Sequence, residues 1–258
     1  VANNENCDSC INKTTVFPQS IGLASTWNLD LVYKEAIAIS DEARALANSI
    51  DNYRYLNFWN PMINIARDPR WGRTQEGYVE DPFLVSRIAV EYIKGLQGKD
   101  DKYLKAIASP KHFVANNVDG DRHFTNSKID DKILRDYYFP AFESSIVEGK
   151  AQGLMSAYNS LNGVPCSSND LLLNNILRIE WGFKGHVVSD CGAVYNIHAN
   201  HFFAETPHQG VAIALKSGTD MNCGGQYEKY LKEAFEIGLL TEVDINTSLK
   251  RILRSRFL

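Results

Sequence analysis

The sequence predicts an α/β fold, a TIM-like (β/α) barrel incomplete at the N-terminus. Three observations carry that expectation. Short apolar runs alternate with segments of helical periodicity, as repeated β-α units on a parallel sheet do. No Pro/Gly/Ser-rich linker divides the 258 residues, a length that suits one large barrel domain. Polar residues follow several of the apolar runs at once, where a barrel keeps its active site. The rival fold, an open doubly wound sheet, lacks here its usual Gly-rich turn after the first strand.

Taken in order, the apolar runs predict strands at Ile21–Ala24, Phe58–Ile65, Leu104–Ser109, Gly153–Ala157, His186–Ser189 and Thr219–Asn222. Helical periodicity predicts a helix from Asn28 to about Ser49. Asp81 as cap, Pro82 at the first position and the stripe Val85, Ile88, Ala89, Tyr92, Ile93, Leu96 predict another, closed by Gly98. Ile133–Glu148 reads as a helix bent at Pro140. Helices follow over Asp170–Glu180 and Pro207–Lys216. The last begins near Glu242, with Thr241 and Asp244 as a capping pair. Six strands do not close an eight-stranded barrel, so the expectation is one domain over residues 1–258 that lacks its first part. The chain opens on Val1-Ala2 without Met or signal peptide and stops within a helical run, so targeting signals do not indicate a location.

Composition excludes some classes of function. The net charge of −4 offers no basic excess to neutralise a nucleic-acid backbone. No apolar run approaches the roughly 20 residues of a membrane span. The 12 Tyr, 12 Phe and 4 Trp supply core, and also faces on which sugars stack. Five cysteines leave at least one thiol unpaired within the chain. Cys7-x-x-Cys10 fits a redox motif, half of a zinc site or a tight disulfide, and a second Cys/His pair at matching spacing is missing. No metal and no cofactor is expected.

The strand ends carry the chemistry. Asp68-Pro69-Arg70-Trp71-Gly72-Arg73-Thr74-Gln75-Glu76 follows the second run, and Lys111-His112 with Asn116-Asn117 the third. Tyr158-Asn159 follows the fourth, Asp190 the fifth, and Cys223-Gly224 the sixth. Asp190 ends a β-branched, buried strand. It reads either as a carboxylate kept ionised by Arg73, Lys111 and His112, and so a nucleophile, or as a cap of the following helix. Arg73 reads as a clamp on substrate or as a partner of Asp68, Glu76, Glu80 or Asp81, and Arg70 as a local ion pair. Trp71 is sugar platform or loop core. His112 is ligand-binding or a satisfied core histidine, and it shares a site with Lys111 only if the strand has already ended. Tyr158 is a hydroxyl donor or a half-buried aromatic. Three reaction classes fit: glycoside hydrolysis through Asp190, Schiff-base chemistry on Lys111, and metal-dependent hydrolysis with His112 and Asp190.

At these motifs the chain resembles glycoside hydrolase family 3, in its N-terminal barrel domain, from about Phe17 to Leu258. The likeness rests on Phe17-Pro18-Gln19 with Ile21-Gly22-Leu23-Ala24 and Asp68-Pro69-Arg70-Trp71-Gly72-Arg73 with Glu76. It continues through Lys111-His112-Phe113, Met155-Ser156-Ala157-Tyr158-Asn159 with Asn162-Gly163-Val164-Pro165, and Trp181-Gly182-Phe183-Lys184-Gly185 leading to Ser189-Asp190. The resemblance implies a retaining exo-β-glycosidase with Asp190 as nucleophile, and Arg73, Lys111, His112, Met155 and Tyr158 around the first sugar. It implies an oligosaccharide substrate, a periplasmic or secreted setting, and an acid/base glutamate on a downstream α/β-sandwich domain; Glu76 is structural in the family pattern. Asp121-Arg122-His123 is similar to the Asp-His pair of the N-acetylglucosaminidase branch but lacks its Gly-His-Gly-Asp context. Cys191, directly after Asp190, is similar to β-xylosidase-like members, whereas β-glucosidases of the family often place Trp there. Pro110 departs from the small residue usual before the Lys-His pair.

Overall fold

The computed structural model describes residues 14–50, 56–100 and 102–257. Cys7 and Cys10 lie outside the described residues. The chain begins with α1 (Ser20–Ala24) and α2 (Leu29–Ile50). Strand β1 (Asn57–Phe58) leads by way of a long loop to α3 (Pro82–Gln97) and then β2 (Ile107–Ala108). An excursion carries β3 (Asn126–Ser127), the single turn α4 (Asp131–Ile133) and α5 (Pro140–Val147). Next come β4 (Gly153–Ser156), β5 (Ser160–Leu161), β6 (Val164–Pro165) and the π-wound helix α6 (Leu171–Glu180). The chain closes with β7 (His186–Ser189), α7 (Ala193–Ala199), α8 (Pro207–Lys216), α9 (Gln226–Glu236) and α10 (Glu242–Phe257).

Parallel pairing joins the wall strands β1, β2, β4 and β7 in chain order, while β3, β5 and β6 form a separate small sheet in which β5 and β6 run antiparallel. Asn57 and Phe58 of β1 lie against Ile107 and Ala108 of β2. Single bridges continue that wall at Met62–Lys111 and carry it on at Phe113–Ser156 and Val188–Met221. Strands β4 and β7 pair over four residues, Gly153 with His186 through Ser156 with Ser189. Neighbouring strands that follow each other in the chain and run parallel are the pattern of a (β/α) barrel, and the fold is α/β and barrel-like. One large apolar cluster fills the space between strands and helices, with Leu154, Val187 and Ala108 facing Ile88, Phe142, Leu173 and Leu177. A smaller one sits among α7, α8 and α9 around Ile197, Val211, Leu215 and Ala234.

The helix signals operate as expected. Asp81 accepts the Leu84 N–H at 2.7 Å and Pro82 opens α3, which stops at Gly98. Thr206 and Gln209 form a reciprocal capping box on α8, and Thr241 with Asp244 caps α10. Pro140 opens α5 after a π-wound stretch, Leu134–Tyr138, that absorbs the expected bend. Asn162-Gly163, both with positive φ (50° and 90°), makes the two-residue turn between β5 and β6.

Four elements correct the sequence reading. Ile21–Ala24 is helix rather than strand: Gln19 O accepts the Gly22 and Leu23 N–H groups. A four-residue apolar run has no period of its own, so tertiary context chooses. The second and third strands are much shorter than Phe58–Ile65 and Leu104–Ser109, and the run containing the former is interrupted at Asn60-Pro61. Thr219–Asn222 makes only the Met221 bridge. Helices α7 and α9 did not stand out in the sequence.

Candidate functional site

The site forms where the parallel strands end. Asp190 follows β7, Lys111 and His112 follow β2, Tyr158 follows β4, and Arg73 reaches in from the loop after β1. The alternative of Asp190 as a helix cap is settled by geometry. Gly192 occupies the cap position of α7 without a side-chain bond, and only the Asp190 carbonyl meets the helix, accepting the Ala193 N–H at 2.9 Å. The carboxylate points elsewhere. Its Oδ1 accepts the Cys191 N–H at 2.8 Å, while the buried Oδ2 has no hydrogen-bond partner among the described residues. Burial pushes the Asp190 carboxyl above its ordinary range. The Cys191 N–H, the Tyr158 hydroxyl, Lys111 and Arg73 pull it back down.

His112 stands 3.4 Å from that Oδ2 through Nε2. Its protonation follows from its neighbours. Asn64 Nδ2 donates to His112 O at 2.9 Å, so Asn64 Oδ1 is the acceptor for both the His112 backbone N–H and His112 Nδ1, each at 2.9 Å. Nδ1 therefore carries the proton, and bare Nε2 accepts from Arg73 Nη1 at 3.2 Å. Burial, with Arg73, Lys111 and Arg122 nearby, holds the imidazole neutral by driving its pKa well below the usual value. His112 is thus a satisfied histidine and a wall of the site at the same time.

Arg73 also combines both readings. Its Nε and Nη2 grip Glu76 Oε1 and Oε2 at 2.7 Å each. With one more N–H on His112, two of the five guanidinium N–H groups have no partner among the described residues. Glu76 is accordingly a support, its own pKa lowered by Arg73. Arg70 pairs with Asp68 in the loop, and Trp71, 7% exposed, is loop core rather than a platform. A cis peptide joins Lys111 to His112. Lys111 feels Arg73, Glu76 and Asp190 at once, and burial lowers its pKa. Met155 lies buried mid-strand in β4, and the Met155 carbonyl takes the Phe113 N–H at 2.8 Å.

Tyr158 is packed rather than hanging free. Arg122 covers its ring at 5.3 Å, His123 meets the ring edge-on at 4.6 Å, and the Tyr158 carbonyl is bonded to His201 Nε2 at 2.8 Å. Burial and the Asp190 charge raise the Tyr158 pKa, which keeps the hydroxyl protonated and able to donate. His123 has Asn196 as its hydrogen-bond partner, at 2.9 Å, and not Asp121. Asn64, Arg122 and Asn196 did not stand out in the sequence. Asn64 had one signal: an amide inside the apolar run Met62-Ile63-Asn64-Ile65, which burial obliges to find partners.

Beside the nucleophile candidate, Cys191 and Cys223 form a disulfide with Cα atoms 4.4 Å apart, and Cys166 is a buried free thiol. Away from the strand ends, Asp220 binds Arg178, Arg251 and the Val187 N–H. His186 is held by Asn57 and Ser255.

Residues 5–255 match the glycosyl hydrolase family 3 N terminal domain. The chain belongs to this family. A xylan 1,4-beta-xylosidase of Xylanibacter ruminicola is 40% identical over 96% of the chain and 30% of its own length. Beta-D-xylosidase 1 of Arabidopsis thaliana is 38% identical over 93% and 31%. Among solved structures, a GH3 exo-beta-xylosidase in complex with a xylobiose aziridine probe superposes with a TM-score of 0.88 at 32% identity, covering 95% of this chain and 33% of that one. Beta-glucosidase 3B of Thermotoga neapolitana gives 0.79 at 34% identity, over 93% and 32%. The family 3 chain described here therefore spans about 30% of the length of the curated relatives it matches.

Proposed function

We propose that residues 1–258 are the catalytic barrel domain of a retaining exo-β-glycosidase that releases terminal β-linked sugars from xylo-oligosaccharides. The carrying observation is the Asp190 carboxylate: one oxygen is held by the Cys191 N–H, and the other is buried, without a hydrogen-bond partner among the described residues, and beside the Arg73–His112 pair. A covalent nucleophile needs that combination of a fixed orientation and an uncommitted lone pair.

In the first half of the reaction Asp190 Oδ2 attacks the anomeric carbon and forms a glycosyl-enzyme ester as the leaving alcohol departs. Water then cleaves the ester with net retention. Arg73, through its two remaining N–H groups, and Lys111 are assigned to the sugar hydroxyls, with His112 and Met155 as walls. Tyr158 donates its hydroxyl beside the nucleophile. Retention places an acid/base carboxyl about 5–5.5 Å from the nucleophile. Glu76 is engaged by both oxygens with Arg73 and does not fill that role. The family resemblance implies an acid/base glutamate on a downstream α/β-sandwich domain, and we assign the role there.

The xylosidase reading is supported by the names of the curated relatives and by Cys191 in the position after the nucleophile. The solved beta-glucosidases that superpose on the chain support glucosides as the second substrate class. A 2-fluoro-xyloside trap on the full-length enzyme, followed by peptide mass mapping, is expected to label Asp190, and a label on any other residue overturns the assignment. Aryl β-xyloside should exceed aryl β-glucoside in kcat/KM by about 10–200-fold, the discrimination available from one hydroxymethyl-sized difference.

A further inference from the structure

Asp190 Oδ1 depends on one backbone donor, the Cys191 N–H. The direction of that N–H is set by a segment with little secondary structure to hold it. Around Ser189 the ladder consists of the Val188–Met221 bridge, the bond from Ser189 N–H to Met221 O at 2.9 Å and, toward β4, the bond from Asp190 N–H to Ser156 O at 3.0 Å. The next regular element, α7, starts at Ala193. Between them lies Gly192, in the left-handed region with φ 86° and open space where a Cβ would stand.

The bonds from Asp190 N–H to Ser156 O at 3.0 Å and from Ala193 N–H to Asp190 O at 2.9 Å hold the backbone at Asp190, and three further contacts involve Cys223. They are the Cys191–Cys223 disulfide, the bond from Gly192 N–H to Cys223 O at 2.8 Å, and the bond from Cys223 N–H to Ser189 Oγ at 3.1 Å. Only the first is covalent. We infer that the Cys191–Cys223 disulfide is a positioning element of the nucleophile, aiming the Cys191 N–H at Asp190 Oδ1 so that Oδ2 alone is presented to substrate. This rests on the assignment of Asp190 above. It differs from a role as a staple, which would change how much protein is folded without changing how the folded site works.

The test compares oxidised and reduced full-length enzyme. Dithiothreitol delivers two electrons and two protons to the bridge by two thiol–disulfide exchanges, giving the Cys191 and Cys223 thiols and the cyclic disulfide of the reagent. Peptide mapping of alkylated protein confirms that this bridge has opened. With the donor no longer aimed, the carboxylate loses a bond that favours its charged form. The expected result is a kcat on aryl β-xyloside reduced at least about tenfold, a KM altered less than about threefold, and an acid limb of kcat/KM moved to higher pH, all restored on reoxidation. The double variant Cys191→Ser/Cys223→Ser should match the reduced enzyme. Its circular dichroism and the reduced wild type keep the result readable if the variant folds poorly.

A substrate-free arm follows the pH midpoint of carbodiimide coupling at the Asp190 peptide, which should rise on reduction. Unchanged kcat and acid limb in verified reduced enzyme, or an unmoved coupling midpoint, overturn the inference. If oxidised enzyme neither turns over xylosides nor traps at Asp190, the proposed function falls instead, and the coupling midpoint still decides what the bridge does.

Discussion

Asp190 occupies a position that burial alone makes costly. A folded-state pKa raised above the unfolded value means that its favourable contribution belongs to the protonated form. That contribution is complete below the unfolded pKa near 3.8 and is lost as pH rises through the folded value. At neutral pH the ionised carboxylate therefore opposes folding. Asp190→Asn is expected to lower turnover by at least about three orders of magnitude. The same variant should raise Tm at pH 7, with the gain shrinking as pH falls toward 4, measured by calorimetry; a lower Tm at pH 7 contradicts the burial account. Asn64 is the opposite kind of residue, needed only for what it holds. Asn64→Ala removes the acceptor of two His112 N–H groups and should cost about 1–3 kcal/mol of stability. It frees the imidazole to change tautomer, so kcat/KM on aryl xyloside should fall as well. Asp190 and His112 were legible because they end apolar runs. The tautomer of His112 was not, because Asn64 is 48 residues away and only the fold joins them.

At the scale of elements, capping and proline signals translated directly into helices, since a cap is a bond between residues three apart and needs no distant partner. Strands were legible only where buried on both faces, as in Gly153–Ser156 and His186–Ser189. The shorter strands depend on neighbours the sequence does not display. The docking of α10 shows the same dependence. Asp220 accepts Arg178 at 2.7 Å and Arg251 of α10 at 3.1 Å, with its side chain fully buried. Asp220→Ala strands the Arg178 charge in the interior and should cost about 3–5 kcal/mol in chemical denaturation. Asp220→Asn should cost less, because it retains an acceptor for the Val187 N–H. The Cys191–Cys223 bridge spans a separation of 32 residues, and in the chain-entropy account contributes about 3–4 kcal/mol besides any role in positioning.

At the scale of the whole molecule, the proposed nucleophile Asp190, the Arg73 guanidinium and the residues proposed as walls of a sugar site converge at one end of the parallel strands. The acid/base is assigned outside this chain, which gives a substrate-dependent prediction. The isolated 1–258 chain should be nearly inactive on xylobiose, whose leaving group needs protonation. An aryl xyloside with a good leaving group should retain more of its glycosylation rate. Full activity of the isolated chain on xylobiose would place the acid inside it. By itself the sequence determined the barrel class, the order of strand-end motifs, the family and the identity of the candidate nucleophile, because each rests on local pattern. The tertiary structure alone decided that Cys191 pairs with Cys223, that Glu76 is consumed by Arg73, that His112 is neutral and unprotonated at Nε2, and that one Asp190 oxygen is left without a partner among the described residues. Those are properties of groups far apart in the chain that burial forces to satisfy, or fail to satisfy, one another.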